Sequence, residues 1–156
     1  MARFRGSSFK YRCIRAIGFG AIFGTQWFYG RWPDSWKGFI IAVLEFFPIL
    51  LSILIWGGTM RNQRILFFTD NEALVHVINR SFFRNPGLMF FARHLVQACL
   101  KYNILFRTRH VPEVHNQLAD SLSRLQVQRF RKLATQYVQP IPTVIPLTLQ
   151  PQSWQI

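Results

Sequence analysis

Acidic residues are scarce in this chain: six Asp and Glu stand against nineteen Lys and Arg in 156 residues, a formal charge of +13. That balance fits a phosphate backbone or an anionic membrane surface, and it leaves a merely basic soluble protein open as well. Cysteine is nearly absent too. Cys13 and Cys99 have neither CxxC nor metal-type spacing, which argues against a disulfide-stapled secreted domain and for an intracellular setting, cytoplasm or nucleus. A disulfide between the two stays open. The basic opening MARFRGSSFKYR is followed by no clean apolar core with a small-residue cleavage site, so no signal peptide is read there, and a mitochondrial presequence is a weaker alternative.

One long apolar run stands out. GFIIAVLEFFPILLSILIWGG, residues 38–58, approaches the length of a membrane span. Glu45 and Pro48 interrupt it, a carboxylate at membrane depth costing a few kcal/mol and a proline removing a backbone donor. A buried helix from about Leu44 to Trp56, with Pro48 in its first turn and Gly57-Gly58 as its stop, is the more economical reading. A membrane protein with a span at 38–58 is the third-ranked alternative.

Residues 17–32 predict two strands joined by a tight turn, and a further strand is expected around 11–16. Arg64–Thr69 reads as a strand buried on both faces. A short helix is expected over 71–79 with Asp70 or Asn71 as its cap, a longer one over 88–102, a strand in NILFRTRHV, and a last helix over 114–128. Three strands, helix, strand, two helices, strand and helix make an α/β class with a five-stranded mixed sheet flanked by helices. Residues 1–10 read as a basic extension, 11–128 as the domain, and 129–156 as a proline-rich linker or tail.

The acids are Asp34, Glu45, Asp70, Glu72, Glu113 and Asp120. Three of them stand where a solvated charge is not expected: Glu45 inside an apolar helix, Asp70 at the end of a greasy strand, and Asp120 between Leu118-Ala119 and Leu122. Each alone has a plain explanation, as a partner for an arginine, a helix cap or a surface charge.

Together with the order of elements, the segments LEFFP, FFTDN and HVPEVHNQLADSLSRLQ resemble the ribonuclease H domain of reverse-transcribing elements. The wording is most similar to DIRS- and Ngaro-type retrotransposons, which carry a tyrosine recombinase. The resemblance covers about residues 11–126. It implies the ribonuclease H-like fold and hydrolysis of the RNA strand of an RNA–DNA hybrid by two Mg²⁺ or Mn²⁺ ions about 4 Å apart. It further implies Glu45, Asp70 and Asp120 as metal ligands, His110 as an aid to substrate turnover or product release, and Asn116 as the polar residue before the last carboxylate. Asn71, Asn116, Arg80 and Arg84 are the candidates for contact with nucleic acid, with Phe82 and Phe83 beside the arginines. A membrane partner is not expected under this reading, and the chain is expected to derive from a polyprotein with reverse transcriptase and recombinase.

One departure matters. The family pattern opens with an Asp on the first strand, in a TDA run before a Gly-aromatic-Gly. Gly18-Phe19-Gly20 is present, but Arg12 or Cys13 stands at the place of the Asp, and no acid occurs before Asp34. A guanidinium there opposes binding of divalent cations. The expectation is a retained fold with catalysis lost or severely reduced, and an Arg12 salt bridge to Asp70 or Asp120 in place of metal. A basic, non-catalytic nucleic-acid-binding module is the second reading.

Overall fold

Small and large apolar residues alternate in GFGAIF and QWFYGR, so each segment can bury both of its faces. In the computed structural model, which describes residues 17–80, 84–112, 116–134 and 137–156, they form an antiparallel hairpin. Strand β1 (Gly18–Phe23) pairs with β2 (Gln26–Arg31), and Gly24 at φ 59° makes the turn. Phe19, Ala21 and Phe28 point into the larger core, whereas Trp27 points the other way, onto Leu122, Phe130 and Ala134. Helices therefore cover both faces of the hairpin.

The larger core is built around α1 (Ile41–Trp56), which is buried along nearly its whole length. The helix starts at Ile41, not near Leu44, so Pro48 lies in its interior and not in its first turn. An interior proline costs about 3 kcal/mol; burying the Phe46, Phe47, Ile49, Leu50 and Leu51 side chains, each worth about 1.5–3 kcal/mol, outweighs it. Among the described residues no helix is long and apolar enough to cross a membrane, which removes the alternative of a span over 38–58.

Strand β3 (Arg64–Thr69) pairs in parallel with β4 (Leu105–His110), and α2 (Glu72–Arg80) and α3 (Pro86–Tyr102) form the connection between them. Asn85 starts α3 by accepting from the Gly87 and Leu88 amides at 2.8 and 3.2 Å. The expected five-stranded sheet is corrected here: the described residues hold two sheets of two strands each. No described strand supplies main-chain partners that join β1 to β3, and the strand expected at 11–16 lies outside the described residues. Both pairs meet instead through side chains packed on α1.

The single helix expected over 114–128 is two: α4 (Gln117–Ser123) and α5 (Val127–Ala134). Leu125 takes a left-handed φ of 57°, and the Gln126 amide closes back on Ser121 O at 2.8 Å, ending α4. A leucine holds that conformation because its side chain lies over Gly18, where a Cβ would sit 2.8 Å from Leu125 Cδ2. The segment expected as a linker does not trail. Gln139 and Thr143 donate main-chain bonds to Thr25 O and Trp27 O, and the Trp154 ring lies 5.7 Å from Phe47 and 5.1 Å from His94. Apolar Ile145, Pro151 and Trp154 make residues 137–156 a strap over the core.

Close approach of α4 to the hairpin depends on Gly20, where a Cβ would meet Leu122 Cβ at 2.4 Å. Gly20→Ala is expected to cost about 1–3 kcal/mol in urea unfolding. Gly38→Ala, which has open space around it, is expected to stay within about 0.5 kcal/mol.

Candidate functional site

The residues after β3 divide two tasks. Asn71 caps α2, its Oδ1 accepting from the Leu74 amide at 2.9 Å, so the neighbouring Asp70 is not needed as the cap. Asp70 is buried at the carboxyl end of the strand, close enough to Glu45 of α1 for the two carboxylates to repel. The register of the parallel pair sets His110 opposite Thr69, one residue before Asp70, and His110 is half-buried there.

Asn116 closes the group from the other side. It is fully buried, and its Nδ2 donates to Asp70 Oδ2 at 2.9 Å. It also occupies the N-cap position of α4 without making a side-chain cap bond. A residue type suited to capping a helix is thus committed to a carboxylate across the fold.

Burial first, and the Asp70 charge second, push the Glu45 carboxyl well above its ordinary 4.5, while the Asn71 side chain pulls it partly back. Neither Glu45 oxygen makes a hydrogen bond of good geometry. Asn71 acts on the carboxyl through its amide Nδ2, the donor end of a side chain whose Oδ1 accepts at the cap. The shift favours the protonated form over the charged one, which opposes two adjacent buried anions.

Asp120 is carried on the same helix as Asn116, one turn further along, and the Asp120 amide bonds to Asn116 O at 3.0 Å. Its carboxylate goes to arginines: Arg124 Nε at 3.1 Å and Arg129 Nη1 at 3.7 Å. The sequence reading missed this arginine pair. The Asp-to-Arg i,i+4 spacing in ADSLSR was the available signal for Arg124, whereas Arg129 is brought in only by the turn at Leu125.

The structure therefore brings together Glu45, Asp70, Asn71 and Asn116, with His110 at the edge, and turns Asp120 toward cations. Arg80 and Arg84 are exposed at the end of α2 and just before α3. Arg12, Cys13, Phe82 and Phe83 lie outside the described residues, and with them the expected Arg12 salt bridges. Among the described residues no three His, Cys, Asp or Glu side chains converge on one point. Mg²⁺ requires hard oxygen ligands in near-octahedral array, and a pair of ions requires several carboxylates between them. Among the described residues, two converging carboxylates and a carboxamide that donates to one of them supply too few oxygen ligands for that pair.

No family model matches this chain, and no curated protein sequence matches it. Among solved structures, RNase H1 from the halophilic archaeon Halobacterium salinarum NRC-1 aligns with a TM-score of 0.54 at 15% identity, over 81% of this chain and 96% of that one. The N-terminal RNase H domain of a Mycobacterium tuberculosis protein aligns at 0.49 and 12% identity, over 86% and 99%. The halophile likeness gives this chain a ribonuclease H-like α/β fold.

The Glu45 shift yields a stability test. The folded state binds a proton that the unfolded state releases above about pH 4.5, so stability falls as pH rises from there through the raised value. Glu45→Gln is expected to match the parent near pH 4 and to exceed it at pH 8 by at least about 1 kcal/mol, since each pKa unit between the folded and unfolded states is worth about 1.4 kcal/mol. Parallel stability curves for the two proteins across that range would show that Glu45 is not coupled to folding.

Proposed function

We propose that this chain is a retroelement-derived ribonuclease H-like domain that holds the backbone of an RNA–DNA hybrid and has lost most or all of its hydrolysis. The observation that carries this reading is the set of partners its acids have found. Asp70 receives a hydrogen from Asn116, and Asp120 is held by Arg124 and Arg129. Each of these contacts gives a carboxylate a donor or a counter-charge where hydrolysis would need it to face a metal. The absence of any acid before Asp34 points the same way.

In this reading Glu45, Asp70 and Asp120 descend from metal ligands for Mg²⁺ or Mn²⁺, and His110 from the residue that eased product release. Arg80, Arg84 and Asn71 are the contacts for nucleic acid; Asn116, expected beside them from the sequence, is fully buried and holds the Asp70 carboxylate instead. The charge of +13 supplies the affinity, and recognition rests on backbone shape and 2′-hydroxyls with little reading of sequence. Descent from a DIRS- or Ngaro-like polyprotein rests on the resemblance of LEFFP, FFTDN and HVPEVHNQLADSLSRLQ, and flanking reverse transcriptase and recombinase sequences in the genome would support it.

Two measurements test the proposal. Binding to a labelled hybrid is expected to weaken roughly 10³-fold between 50 and 200 mM salt if about six phosphates are neutralised; a flat salt response would remove the backbone-binding reading. Cleavage of the same hybrid in Mg²⁺ or Mn²⁺ is expected to be absent or marginal and to rise in Arg12→Asp. Full turnover by the unaltered chain, abolished by Asp70→Asn, would mean that three carboxylates suffice and that the loss of activity is refuted.

A further inference from the structure

Away from the acidic cluster, the outer side of α3 borders an open apolar groove. Its main section, of about 430 Å³, runs between α3 and β4 and is lined by Met89, Leu95, Val96, Leu100, Phe106 and, from α2, Ile78. A second section of about 290 Å³ shares Val96, Leu100 and Phe106 with it and continues to Asn103 and Leu105. From Met89 to Asn103 the groove follows α3 for about 21 Å, at 1.5 Å per residue. Val96, Leu100 and Leu105 are 53, 78 and 66% exposed, an unusual concentration of open aliphatic surface beside one groove.

We propose that this groove docks an acidic amphipathic helix from a partner protein. The charge around it selects the sign. Arg93 lines the groove itself, Lys101 lies further along α3 and Arg80 ends α2, while Arg107 and Arg109 share the Leu105 face of β4, opposite Phe106; apart from Glu72 at the far end of α2, the three framing elements carry no acid. Among the described residues Arg93, Lys101, Arg107 and Arg109 enter no salt bridge. A second copy would bring the same cations to the contact. The first sixteen residues of the chain, with five cations and no acid, would do likewise.

The edge of β4 selects the form of the partner. Leu105 and Val111 donate main-chain bonds toward Gln63 and Thr69, on the β3 side. On the opposite edge, the Asn79 side chain donates to Thr108 O and accepts from Thr108 N–H, both at 3.0 Å. With those groups occupied, a partner strand cannot extend the sheet past Phe106. A helix needs no such bonds, and its apolar side chains at i, i+3, i+4 and i+7 suit a long aliphatic trough. Nucleic acid would meet the cations but not the aliphatic lining, which offers one aromatic ring, Phe106, for stacking.

The test uses the full chain and a fluorescein-labelled peptide of about 16 residues, leucines at helical spacing and glutamates on the other face, against a scrambled peptide of identical composition. Anisotropy is expected to show the amphipathic peptide binding at least about tenfold more tightly than the scrambled one. Val96→Asp with Leu100→Asp, both at exposed positions, should remove that preference, and Arg93→Glu should weaken binding several-fold with a shallower salt dependence. Equal binding of the two peptides would reduce the surface to a general polyanion site and overturn the proposal. So would full displacement of the peptide by an RNA–DNA hybrid, or a dimer in sedimentation that Leu100→Asp dissolves, since each assigns the groove to a different occupant. If the double variant misfolds, the comparison of the two peptides on the unaltered chain still decides.

Discussion

Helix α1 cannot face water on any long side, and the arrangement of the molecule follows from covering it. Its buried residues run from Val43 through Ile53 to Trp56. The hairpin supplies one cover through Phe19, whose ring stands edge-on to Phe47 at 5.4 Å. Phe91 of α3 supplies another, 5.7 Å from the same ring, and Trp154 at the end of the strap closes on it from a third direction. Such contacts add about 0.5–1.5 kcal/mol each beyond the area they bury. Phe47 is thus a shared anchor for three parts of the chain that are remote in sequence.

The same helix carries Glu45 into the interior, at a cost to stability. An apolar helix of this kind gains nothing from a buried carboxyl, which in turn meets Asp70 from β3. Two buried anions side by side require cations, protons or donors nearby. A working two-metal site meets that need with divalent cations. In this chain, Asn116 donates to Asp70, protonation is favoured at Glu45, and arginines hold Asp120. Each compensation is local, so each carboxyl is answered by its own neighbour: a donor at Asp70, a proton at Glu45, guanidinium groups at Asp120.

Much of this was legible from residue patterns. β3 was placed at its observed ends, because a continuous apolar run bounded by Arg64 and Asp70 leaves little choice of register. Both strands of the hairpin and the bulk of α1, α2 and α3 could be read from apolar spacing. The break at Leu125 could not, because no glycine or proline marks it and its left-handed turn is held by a tertiary contact to Gly18. The strap was hidden for a related reason. Proline spacing describes a chain without helix or strand, and such a chain can still be pinned by a single aromatic residue such as Trp154. At the site, acids in unusual positions could be recognised one by one. Their partners could not, since Asn116 to Asp70 and Arg129 to Asp120 are set by the fold and not by spacing.

Six acids are too few to serve both the interior and the surface, and that shortage links the site to the rest of the exterior. Glu45 and Asp70 are buried, Asp120 is committed to Arg124 and Arg129, and Asp34 pairs with Lys37 at 3.0 Å. Glu72 sits in the first turn of α2, where the helix dipole favours it. Among the described residues no acid is left to balance Arg93, Lys101, Arg107 or Arg109, so one side of the molecule is positive by default. Positive charge of this kind accelerates encounter with any anionic partner and does little to discriminate among them. Discrimination has to come from shape and from what lies between the cations. Beside the acidic cluster that is the half-buried polar pair Asn71 and His110; along α3 it is an aliphatic trough. Two surfaces that share a charge and differ in polarity therefore differ in what they can select, a distinction that charge alone does not make.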